Sequence, residues 1–95
     1  TPLHSAAAND LLSVCQKLIE VVDEVNPEND NGNTPLHLAA QKGHLQICQL
    51  IVNNINYKNP KNFNGETPIQ LASDYGHSTI VKILQAVLSK KIKLG

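Results

Sequence analysis

Aromatic side chains are scarce: Tyr57, Phe63 and Tyr75 are the only three in 95 residues. Charge of one sign is lacking too, since eight basic residues balance eight acidic ones. A neutral chain without a basic stripe or interleaved aromatics offers no footprint for nucleic acid and no broad field for an anionic membrane. No apolar run reaches the roughly 18 residues that a membrane helix needs. No signal peptide is visible. No Ser/His/Asp, Cys/His or paired-carboxylate grouping stands out as chemistry, so the expectation is a chain that is not an enzyme and needs no cofactor.

What the chain does have is a period. Thr34-Pro35-Leu36-His37-Leu38-Ala39-Ala40-Gln41-Lys42-Gly43-His44 is preceded, 33 residues earlier, by Thr1-Pro2-Leu3-His4-Ser5-Ala6-Ala7. It is followed at the same interval by Thr67-Pro68-Ile69-Gln70-Leu71-Ala72-Ser73-Asp74-Tyr75-Gly76-His77. A fixed period of this length marks a stack of supersecondary units, each burying its apolar face on a neighbour. The period and the Thr-Pro-Leu-His stretch resemble the ankyrin repeat, and the resemblance runs over essentially the whole chain. It implies an all-α repeat solenoid with β-hairpin fingers, built from helix-turn-helix units. The expected organisation is one domain over 1–95, with repeats at about 1–33, 34–66 and 67–95. Because Thr1 opens inside a motif with no hairpin strand before it, the expectation is a fragment of a longer protein.

The local signals agree with this reading. Thr1, Thr34 and Thr67 are N-caps, each followed by proline at the first helical position, where its missing N–H costs nothing. Thr67 to Gln70 also has capping-box spacing, with Gln70 placed to reach back to the cap. His4 and His37, by the resemblance, are structural hydrogen bonders between units. Ala6, Ala7, Ala39, Ala40 and Ala72 let helices approach closely, and Gly43 and Gly76 suit left-handed helix ends, with Asp10 in their place in the first repeat. The second helices carry the apolar face: Leu11, Val14, Cys15, Leu18 and Ile19; then Leu45, Ile47, Cys48, Leu50, Ile51 and Val52; then Ile80, Val81, Ile83, Leu84, Val87 and Leu88. Lys17 interrupts that face, which implies that it is partly solvated there.

Ankyrin repeats usually end this helix with Gly-Ala, where this chain has Val22-Asp23 and Ile55-Asn56. Asn54 or Asn56 is the expected left-handed cap. Beyond it, Asn31-Gly32 and Asn64-Gly65 signal tight turns at the finger tips. Asn29 and Asn62 replace the usual Asp, keeping the turn's acceptor without its charge. Lys90, Lys91 and Lys93 suit the end of a last helix and the solvated outside of a terminal repeat.

Cys15 and Cys48 share one place in neighbouring repeats. Stacked helices sit about 8–10 Å apart, too far for a disulfide. Two reduced, semi-buried thiols fit an intracellular protein, cytoplasmic or nuclear. No short ligand spacing joins them to a histidine, so no metal site is expected.

A solenoid offers an extended concave surface rather than an enclosed pocket. The expected function is therefore a protein–protein interaction module, a non-catalytic scaffold that is monomeric on its own. Positions that carry the fold agree between repeats. Positions at the hairpin tips and first helices differ, and these are Asp30 and Phe63, Asn33 and Glu66, Gln41 and Asp74, and Lys42 and Tyr75. By the resemblance they are the partner-binding set. Phe63 and Tyr75 are its anchors, and Lys42, Gln41, Asp30 and Asp74 form the rim.

Two alternatives stand beside this reading. One is a structural spacer in a longer array, for which an open face at Leu3, Val14 and Leu18 is the mark. The other is a substrate of an asparaginyl hydroxylase at Asn26. Leu18 and Glu24-Val25-Asn26 resemble the acceptor pattern, whereas Ile51 and Tyr57-Lys58-Asn59 fit it poorly.

Overall fold

The computed structural model describes residues 1–56 and 59–92, apart from the side chains of 90–92. Tyr57, Lys58, Lys93 and the side chains of Lys90 and Lys91 therefore lie outside what is described. Six helices follow in order: α1 (Pro2–Ala8), α2 (Leu12–Val21), α3 (Pro35–Lys42), α4 (Leu45–Asn53), α5 (Pro68–Asp74) and α6 (Ser78–Ile92). Each short first helix packs on the second helix that follows it. Across repeats, α3 lies between α1 and α5, and α4 between α2 and α6. The result is two layers of helices, one repeat stacked on the next.

The threonine caps explain where the first helices begin. Thr1, Thr34 and Thr67 each accept the N–H of the residue three places on, at 3.2, 3.2 and 3.0 Å. The helices end after seven or eight residues, where Asp10 (φ 59), Gly43 (φ 83) and Gly76 (φ 81) turn left-handed. At Gly43 the backbone needs glycine for space as well, because a Cβ there would stand 2.6 Å from the His77 ring.

The core runs through all three repeats: Leu3, Ala6, Ala7 and Cys15, then Leu36, Ala39, Ala40, Ile47, Cys48 and Ile51, then Ala72, Ile80 and Leu84. Alanine in the first helices brings the layers close, and the aliphatic second helices fill the space between. Burying a side chain such as Leu36 or Ile51 contributes about 2 kcal/mol. Both thiols are free and fully buried. Burial pushes Cys48 up to about 12, and burial followed by the charge of Asp10 raises Cys15. Both are therefore inert thiols.

The structure corrects the local reading at several places. Leu11 and Val14 do not belong to the core: they are 47% and 45% exposed, because no helix pair lies against that side of α2. Lys17 is exposed beside them, as its interruption of the face implies. Neither Asn54 nor Asn56 is left-handed. Asn54 (φ −114) ends α4 through its side chain, whose Nδ2 donates to the Leu50 carbonyl at 2.8 Å, so no left-handed turn is needed. Among the described residues, Asp10 and Asn59 are the non-glycine positions with positive φ. Gln70 does not reach back to its cap either, since its amide donates to the Asp74 carboxylate one turn along, at 2.9 Å.

The fingers are tight turns, and no strand forms among the described residues. Gly32 N–H donates to Asn29 C=O at 2.9 Å and Asn29 N–H to Asn33 C=O at 2.8 Å, with Gly32 left-handed (φ 77). This is the three-residue hairpin loop that ends in a left-handed glycine, not a two-residue Asn-Gly turn. The second finger repeats it with Asn62, Gly65 and Glu66. The fingers join through one backbone bond, Phe63 N–H to Asn31 C=O at 3.0 Å.

Candidate functional site

All four histidines are spent on joints between repeats. His4 and His37 point forward: their Nε2–H groups donate to the carbonyls of Asn33 at 2.7 Å and Glu66 at 2.9 Å, each at the foot of the finger that follows. His44 and His77 point backward, donating to the carbonyls of Ala8 at 3.1 Å and Gln41 at 3.0 Å. A carbonyl only accepts, so each Nε2 carries its proton. At His37 the other nitrogen accepts Thr34 N–H at 3.1 Å and faces the Thr34 hydroxyl at 2.9 Å. The ring is therefore a neutral imidazole, saturated on both sides. Burial lowers its pKa below the usual histidine value, against the opposing pull of the Glu66 and Pro60 carbonyls and the charges of Glu66 and Glu28. The expected structural role of His4 and His37 is met. The matching role of His44 and His77 was missed, although their 33-residue spacing was a signal.

Asn62 is the second joint. Its Oδ1 accepts the N–H groups of Asn64 at 3.0 Å and Glu66 at 2.9 Å, the same turn closure that Asn29 makes with Asn31 and Asn33. Its Nδ2 adds what an aspartate could not, donating to Asn33 Oδ1 at 2.8 Å and Glu66 Oε1 at 2.9 Å. Asn62 thus ties one finger to the other, and it is buried.

These joints leave a defined outer surface. Phe63 is 70% exposed and Tyr75 57% exposed, the two described aromatics both facing solvent. Phe63 lies against the preceding finger on one side: a Cβ on Gly32 would stand 2.5 Å from its ring. Asp30, Lys42 and Asp74 are exposed, and Gln41 is half-buried with its carbonyl held by His77. Asn33 and Glu66 are half-buried, and their side-chain oxygens serve Asn62. The eight predicted positions thus divide. Four, Asp30, Lys42, Asp74 and Tyr75, lie at the surface, and four, Asn33, Gln41, Phe63 and Glu66, also hold repeats together.

Asn26 is half-buried, and its Oδ1 accepts the N–H of Leu36 at 3.2 Å, supporting the first turn of α3 from outside. It lines an open groove of about 410 Å³ with Asp23, Glu24, Asn54, Ile55 and Pro60. The face offered as the mark of a spacer divides as well: Leu3 is buried, Leu18 half-buried and Val14 open. Among the described residues no three His, Cys, Asp or Glu gather as a metal site, and no helix is long and apolar enough to cross a membrane.

Stacked helix pairs, short capped first helices and finger turns tied by imidazoles define a helical repeat scaffold. The chain belongs to the ankyrin repeat family: the family model for ankyrin repeats, in three copies, matches residues 1–93. Ankyrin repeats are generally protein–protein interaction modules, and the family typically works as a non-catalytic scaffold. No curated protein matches the chain.

Proposed function

We propose that this chain binds a partner protein through its finger tips and the outer surface of α3 and α5. Phe63 and Tyr75 serve as anchors there, and Asp30, Gln41, Lys42 and Asp74 as the polar rim. Asn33 and Glu66 contribute from the finger bases, where they also fix the shape of the surface. The observation that carries this reading is the exposure of the two aromatics in a chain that has only three. A scaffold whose core is alanine and aliphatic has no folding need to leave such rings in water, and aromatic side chains are the usual anchors of protein interfaces. The fold needs agreement at the caps, alanines and glycines. It leaves the tips free to differ, so recognition can be written there without cost to the stack.

The test is affinity capture from the source cells with the chain and with its Phe63→Ala, Tyr75→Ala variant, after circular dichroism shows equal helicity. Partners held by the first and lost by the second support the reading. Partners held equally by both place recognition on another surface, and capture of nothing specific removes the reading.

A further inference from the structure

Charge is balanced over the whole chain but unevenly placed along it. Residues 1–33 hold six of the eight acids and one lysine, Lys17, while residues 34–95 hold the other seven lysines. No lysine or arginine stands between Lys17 and Lys42, whereas Glu20, Asp23, Glu24, Glu28 and Asp30 do, and all five are exposed. Among the described residues the ion pair is that of His44 with Asp10, so none of these five acids is neutralised by one.

Phe63, the one apolar residue in the two finger turns, sits at the edge of this acidic region. The turn from Asn29 to Asn33 carries Asp30, with Glu28 just before it. Phe63 comes from the next finger and closes on that same turn. Its N–H donates to the Asn31 carbonyl at 3.0 Å, and its ring fills the space beside Gly32, where a Cβ would meet ring atoms at 2.5 and 2.8 Å. Gly32 is buried while Phe63 is 70% exposed, so part of the ring is seated on the turn and the rest meets water. An open aromatic ring held on a turn that carries a carboxylate suits a guanidinium. The ring face attracts a cation, the carboxylate pairs with it, and the planar group can do both at once. An ammonium is more strongly hydrated and cannot stack.

We propose that Phe63 and Asp30 form a seat for an arginine side chain, and that the partner segment lying over the fingers is basic. This rests on the finger-tip reading above and narrows it to one class of partner. The guanidinium stacks on the open part of the ring and pairs with Asp30, while Glu28 and the acids at the end of α2 draw the segment in. An apolar segment fits worse, because it would cover unpaired carboxylates without replacing their water. A second copy of this chain fits worse too, since its sequence contains no arginine.

The test is fluorescence anisotropy with a short fluorescein-labelled peptide that alternates arginine and serine, beside the same peptide with lysine or glutamine in place of arginine. The arginine peptide should bind about threefold tighter than the lysine one, and the glutamine one weakest. Phe63→Leu keeps an apolar side chain on Gly32 and removes the aromatic face, so it should cost the arginine peptide about threefold. Asp30→Asn with Glu28→Gln should cost about tenfold. Asp23→Asn with Glu24→Gln makes the same charge change outside the turn, beside the groove at the end of α2, and should cost about twofold. Circular dichroism checks that each variant keeps its helicity. No binding of the arginine peptide, equal binding of the lysine one, or no loss in Phe63→Leu overturns the seat. An equal loss from the two charge variants would mean a diffuse field and overturns it as well. So does a dimer of the chain that Phe63→Leu dissolves, which would assign the ring to a second copy. A glutamine peptide bound as tightly, and lost in Phe63→Ala, removes the basic partner and leaves the finger-tip reading standing. That reading fails separately, when captured partners survive the loss of Phe63 and Tyr75.

Discussion

The junction between the first and second repeats and the junction between the second and third use the same parts in different surroundings. Each has one forward imidazole and one backward imidazole. In the first junction His44 also stands 3.7 Å from the Asp10 carboxylate, which is exposed. In the second, His37 is fully buried and bonded at both nitrogens. The lesson is that a repeated signature fixes the bond and not its worth. What a bond contributes depends on how much water the neighbouring repeats exclude from it.

The largest effect is expected at the buried joint. His37→Ala leaves the Glu66 carbonyl and the Thr34 N–H without partners and opens a cavity. It should cost about 3 kcal/mol, while His4→Ala costs about 1–2 kcal/mol because its joint is less enclosed. Urea unfolding of both variants measures the difference, and equal losses would break the comparison. Next come the glycines at the ends of the first helices. Gly43→Ala and Gly76→Ala share the cost of a left-handed alanine, about 1 kcal/mol. Only the first also drives a methyl group into the His77 ring, so it should cost about 1–2 kcal/mol more by the same measurement.

The fingers give a smaller contrast. Asn62→Asp loses the amide that reaches Asn33 and Glu66 and sets two carboxylates against each other, for about 2 kcal/mol. In the described bonds of Asn29 its oxygen only accepts, so Asn29→Asp should stay within about 0.5 kcal/mol. The same pair of variants shows what the sequence could and could not carry. Its Asn residues announced the turn closure, because that closure is local. The bond from Asn62 to Asn33 crosses between repeats, and nothing in the residue order revealed it.

The smallest contrast is in pH. Because His37 holds its second proton less readily in the fold than in the unfolded chain, the unfolded state binds more protons as pH falls. Its contribution is fully present above the unfolded value of 6.5 and is lost as pH falls through the lower, folded one. Stability should therefore decline below about pH 6.5, and His37→Gln should flatten that part of the decline. Unfolding midpoints in urea across this range, for the chain and the variant, provide the check. A decline equally steep in His37→Gln would assign the effect elsewhere.

Much of the fold was legible because its determinants are short and repeated. The Thr-Pro caps, the alanines and the left-handed positions at Asp10, Gly43 and Gly76 all act within one turn of their own residue. The exceptions depend on distant partners. Val14 sits in an apolar pattern like that of its counterparts Ile47 and Ile80, and only stacking decides which of them meets water. Asn54 closes its helix with a side-chain amide, where the residue type pointed to a left-handed backbone. For the surface, a comparison of repeats picked out the variable positions. It could not tell that Asn33 and Glu66 also serve Asn62, because both roles call for the same polar atoms.

The direct test of these joints is nitrogen-15 NMR of the histidine rings at neutral pH. The account predicts four rings that carry a proton at Nε2, each with its Nε2–H protected from exchange and coupled through its hydrogen bond to the carbonyl of Asn33, Glu66, Ala8 or Gln41. Rings without a proton at Nε2, or Nε2–H groups exchanging freely with water, would contradict the claim that imidazoles join these repeats.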